Sequence, residues 1–90
     1  MLTEAQRTKY RLDLMAQLKE STPNGMKLEH LVKGQDVAGW RATLTDCQAE
    51  LQGLIELGHV RSRGNPVNAS TQLYYLTEGG RVALAEAGLA

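Results

Sequence analysis

The sequence predicts a mainly helical α+β domain with three helices, a β-hairpin and a closing helix. Apolar residues recur at helical spacing over residues 3–21 and again over residues 45–57. Two short runs rich in β-formers, residues 59–63 and 71–77, flank a segment of turn-forming residues. With 90 residues the chain has room for one domain, placed at 1–90, and not for two.

The first helix opens with Thr3 and Gln6 in the pattern of a capping box, in which each side chain satisfies a free backbone donor of the first turn. Leu14, Met15 and Leu18 form its apolar stripe, with Tyr10 or Arg11 one turn earlier, and Lys9, Asp13 and Glu20 form a solvated face. The run Thr22-Pro23-Asn24-Gly25 stops it, because proline disfavours helical geometry in the residue before it and Asn-Gly suits a turn. Residues 26–33 read as a short second helix or as a strand entering one, with Met26, Leu28, Leu31 and Val32 apolar and Gly34 as the C-terminal cap. Residues 35–43, which include Gly39 and Trp40, carry no readable pattern.

The third helix, residues 45–57, gives the strongest helical signal. Thr45 and Gln48 fit a second capping box, and Asp46 suits the positive helix start. Leu44, Cys47, Leu51, Leu54 and Ile55 fall on one side, while Thr45, Gln48, Ala49, Gln52 and Glu56 fall on the other. Gly58 closes the helix. In the second hairpin strand, one of Tyr74 and Tyr75 points inward and the other outward. Thr77 caps a last helix built on Val82, Ala83, Leu84 and Ala87.

Composition narrows the function classes. Hydrophobic residues make up 42% and charged residues 22%, as in ordinary globular chains. No apolar run approaches the roughly 20 residues of a membrane span, and the charged, amphipathic start is not that of a signal peptide, so the expected location is the cytoplasm. A single cysteine, Cys47, excludes an internal disulfide and a cysteine-based zinc cluster, and its place on the apolar face makes it a core residue. His30 and His59 stand far apart with no carboxylates at metal spacing, so neither metal nor cofactor is expected. Asn68-Ala69-Ser70 matches a glycosylation sequon and is read as chance in a chain without a secretion signal. With no catalytic carboxylate pair, no Ser-His-Asp set and no phosphate-binding glycine loop, the expectation is a binding module and not an enzyme.

Two motifs carry a family resemblance. Leu51-x-x-Leu54-x-x-x-Gly58-x-Val60 resembles the third helix and first wing strand of winged-helix transcription regulators. Tyr74-x-Leu76-Thr77-x-x-Gly80-x-x-Ala83-Leu84 resembles the second wing strand and following helix of the MarR- and PadR-like groups. The resemblance implies a winged helix-turn-helix domain, with a three-helix core, a β-hairpin wing and a C-terminal helix. The matching residues are packing positions, so the likeness speaks for the fold more than for DNA binding. The gap between Val32 and Thr45 exceeds the tight turn usual in this family, and an extra helical turn within residues 36–41 would fill it.

The resemblance also implies that the third helix enters the major groove of double-stranded DNA. Its outward side and approach would then present Arg41, Thr43, Thr45, Gln48 and Gln52, and glutamine can pair with adenine through two hydrogen bonds. Arg61 and Arg63 on the wing, with Lys27 and Lys33 from the second helix, are the candidate phosphate contacts. Ten basic and ten acidic residues cancel, so the case rests on where the charges sit. Asp46, Glu50 and Glu56 on the third helix weigh against it, with Glu50 expected to point sideways.

Two functions fit this reading. One is a sequence-specific, DNA-binding transcriptional regulator; the other is a winged-helix protein-interaction module, such as an adaptor or a phage- or plasmid-type accessory protein. A homodimer is expected in which Leu2, Leu12, Val82 or Leu89 covers apolar surface left over by a small core.

Overall fold

The computed structural model describes residues 2–21, 24–41, 43–64 and 72–88. The Pro23 turn, the Asn68 sequon, most of the hairpin loop and Leu89 therefore lie outside the described residues.

Helix α1 (Glu4–Glu20) starts at Thr3 through the expected capping box, whose two hydrogen bonds to Gln6 are 3.0 and 3.2 Å long. Tyr10, Leu14, Met15 and Leu18 are its buried stripe, which settles the choice between Tyr10 and Arg11. Strand β1 (Met26–Lys27) leads into α2 (Leu28–Val37), so the second segment is a strand entering a helix. Gly34 does not end this helix. It lies inside α2, where a β-carbon would collide with the Gln17 side chain that crosses from α1. That close approach lets Gln17 accept a hydrogen bond from Gln35 (2.6 Å) and donate one to the His30 carbonyl (3.2 Å). The extra helical turn is real but reaches only Val37, and Gly39, at φ +97°, supplies the left-handed residue that redirects the chain.

Helix α3 (Leu44–Glu56) begins one residue earlier than its spacing suggests. Its capping box is Thr43 with Asp46, both hydrogen bonds being 3.1 Å, and not Thr45 with Gln48. These bonds, the first to the Thr43 backbone, hold the Asp46 carboxyl below the usual range. Gly58, at φ +79°, follows the helix as expected. Strands β2 (Val60–Arg63) and β3 (Leu73–Leu76) pair antiparallel, and β1 adds to the other side of β3, giving the order β1-β3-β2. Helix α4 (Glu78–Glu86) starts at Thr77, whose hydroxyl accepts the Gly80 N–H at 3.1 Å.

One core joins all these layers. Leu31 of α2, Cys47, Leu51 and Leu54 of α3 and Leu84 of α4 close on the α1 stripe, with Val60, Tyr74 and Leu76 sealing it from the sheet. The Cys47 thiol is wholly buried, and burial pushes its pKa up, as befits a protonated core group. Trp40 lies on the flank. Its ring stands edge-on to Tyr10 with centroids 5.2 Å apart, and its indole N–H donates to Asp13 at 2.6 Å. Asp13 is thus half-buried and bonded, where the sequence suggests a solvated position. Leu2 and Leu12 also pack against the core, whereas Val82 stays about half exposed.

Candidate nucleic-acid interface

The buried seam of α3 is Cys47, Glu50, Leu51 and Leu54. Thr45, Gln48, Ala49 and Gln52 therefore form an exposed ridge on the far side that is uncharged up to Glu56, the exposed carboxylate at its C-terminal end. Leu44, expected in the apolar seam, is instead 50% exposed.

Glu50 is the main departure from the sequence reading. It is neither sideways nor solvated: it is turned inward and clamped by α1. Arg11 Nε donates to Glu50 Oε1 at 2.7 Å, and Arg7 Nε donates to Oε2 at 3.1 Å. Gly53, one turn further along α3, makes this possible, since a β-carbon there would collide with the Arg11 guanidinium. The clamp removes one carboxylate from the exposed side of α3 and uses two cations of α1. Replacing Glu50 with Gln should leave Arg11, the less exposed partner, without its counter-charge. The expected loss is about 1–2 kcal/mol, the worth of a charged hydrogen bond discounted for the exposure of Arg7. A denaturant melt superimposable on the wild type would show that the clamp holds nothing.

The sheet brings together cations that the sequence keeps apart. Residues opposite each other in an antiparallel pair share a face. Lys27 pairs with Leu73, and Leu73 pairs with Arg63, so these three form one row across the sheet. Arg61 pairs with Tyr75, and its guanidinium lies 5.3 Å from the centre of the Tyr75 ring. The outer face of the sheet thus carries Lys27, Arg61 and Arg63 around Leu73 and Tyr75, while Val60, Tyr74 and Leu76 face the core. Lys27 belongs to β1 and not to the second helix; it also occupies the N-cap position of α2, with its side chain unused in capping. Strand β2 is an edge, where charges also discourage pairing with another chain.

The remaining candidates are all exposed. Arg41 lies in the approach to α3, Lys33 on the outer side of α2, and the Thr43 hydroxyl is engaged in capping. Among the described residues no cluster of His, Cys, Asp and Glu could hold a metal ion, and no helix is long and apolar enough to cross a membrane.

The order of helices and strands, with β1 joined to the hairpin, is that of a winged helix. No family model and no curated protein sequence matches the chain. Among solved structures, the crystal structure of a MarR family transcription regulator is similar over 90% of this chain, with a TM-score of 0.55 and 22% identity. The chain has a MarR-like winged-helix fold and spans 55% of the length of that regulator.

Proposed function

We propose that this chain is a sequence-specific, DNA-binding transcriptional regulator that places α3 in the major groove of double-stranded DNA and rests its wing cations on phosphates. The observation that carries this reading is the gathering of Lys27, Arg61 and Arg63 on one sheet face in a chain of zero net charge. The uncharged ridge of Thr45, Gln48 and Gln52 supports it, because base edges are read by hydrogen bonds and small contacts. Arg41, Thr43 and Lys33 complete the proposed contact set. The likeness to a transcription regulator agrees with it at the level of the fold.

The contacts divide by role, and a salt-dependent titration separates them. Arg61→Ala or Arg63→Ala should weaken binding to all sequences and flatten the salt slope by about one unit per lost contact. Gln48→Ala or Gln52→Ala should cost about 1–3 kcal/mol on a preferred duplex and little on random DNA. Folded wild-type protein that binds no genomic fragment at low salt would overturn the proposal.

A protein-interaction module is the second reading, favoured by the zero net charge and by Val37 and Leu57, both more than half exposed. It requires no salt-dependent DNA binding, and the same substitutions would then act on a protein partner.

The DNA reading carries a homodimer with it, since paired half-sites match a two-fold protein. Val82 on α4 is the described residue best placed to be covered, Leu2 and Leu12 being partly spent on the core. Sedimentation at high micromolar concentration should give twice the 9.9 kDa chain mass, and a monomer there would count against the dimer.

A further inference from the structure

Leu44 is the first residue of α3, lies between Thr43 and Thr45, and is half exposed. A single exposed leucine ordinarily needs no explanation; the position of this one supplies the argument. Residues four apart on a helix are surface neighbours, so Leu44 and the exposed Gln48 form one ridge at the N-terminal end of α3. Helical side chains lean toward the helix start, which aims Leu44 past the first turn. The core does not claim it: the seam begins at Cys47, and Leu44 is absent from the partly buried residues packed on it.

We propose that Leu44 is a specificity residue that packs against a thymine C5-methyl group in the major groove, next to the base that Gln48 reads. The inference rests on the DNA-binding reading above and deepens it. The occupant follows from the surroundings. The cations on the sheet face, with Arg41 in the approach to α3, call for a polyanion. Within DNA, the thymine methyl is the apolar group that a major-groove side chain meets. Gln48 matches adenine, so the pair Gln48 and Leu44 favours a site containing A·T pairs.

The test begins with a duplex selected from a random pool by the wild-type protein, in which each thymine is then replaced in turn by deoxyuridine, which lacks only the methyl group. Wild-type protein should lose up to about fourfold in affinity at one thymine, the worth of one buried methyl-sized group. Leu44→Ala should bind the thymine duplex more weakly by a similar factor and be indifferent to deoxyuridine at that position. Leu57→Ala, at the exposed far end of the same helix, should keep the full discrimination. A selected duplex with no sensitive thymine, or a Leu44→Ala protein as sensitive as the wild type, overturns the assignment of Leu44 and leaves the DNA-binding reading standing. A selection that enriches no duplex overturns both.

Discussion

Replacing Leu54 with Ala should destabilise the domain by about 2–5 kcal/mol, the range for a buried leucine whose cavity collapses only in part. Leu54 is 1% exposed and belongs to the seam of α3 that meets the sheet and α1. Its surroundings are held by backbone as well as side chains: the carbonyl of Leu54 accepts the His59 N–H at 2.9 Å, the bond that turns the chain from α3 into β2. The cavity therefore has little freedom to close. Leu57, three residues on and 59% exposed, is the control; its replacement by Ala should change stability by no more than about 0.5 kcal/mol. Urea melts of the two variants check the magnitude, and a loss near zero for Leu54→Ala would contradict the facing of α3.

The facing of α3 was legible because five of its thirteen positions follow one apolar stripe, four of them inward in the structure or half so. Its start was not, because two threonines, Thr43 and Thr45, each stand three residues before a side chain able to complete a capping box. Local chemistry permits both, and the structure selects Thr43, leaving Leu44 outside the seam. Strand β1 illustrates a different limit. Two residues carry no periodicity, and β1 exists through its pairing with β3, nearly fifty positions away.

The same limit of range applies to the candidate interface. The polar ridge of α3 and the wing arginines could be placed from local pattern alone. The inward turn of Glu50 could not, since its partners Arg7 and Arg11 lie 43 and 39 residues upstream. A trace of it does stand in the sequence: Gly53 breaks a run of good helix formers, at a cost in helix propensity, and the Arg11 guanidinium explains why. Gly34 carries the same kind of signal. A glycine within a helical pattern can mark a cap or a crossing side chain, and only the position of Gln17 decides between them.

Gly80 is where that ambiguity has its largest consequence, and Gly80→Ala should destabilise the domain although alanine is the better helix former. Alanine within a helix gains up to about 1 kcal/mol over glycine. Against that, a β-carbon at this position would overlap the His59 carbonyl oxygen and the Leu76 side chain. The leucine can adjust; the carbonyl cannot do so cheaply. It accepts the Thr77 N–H at 3.0 Å, and the Thr77 hydroxyl donates to the neighbouring Gly58 carbonyl at 2.6 Å while accepting the Gly80 N–H. Moving α4 and its cap outward to make room strains the two bonds from Thr77 to the Gly58 and His59 carbonyls, in addition to an overpacking cost of about 1–3 kcal/mol. With hydrogen bonds worth about 1 kcal/mol each, the net loss expected is about 2–4 kcal/mol after the helix gain is subtracted. A urea midpoint for Gly80→Ala at or above the wild-type value would mean that the helix gain prevails, and that α4 stands further from the turn at His59 than its hydrogen bonds require.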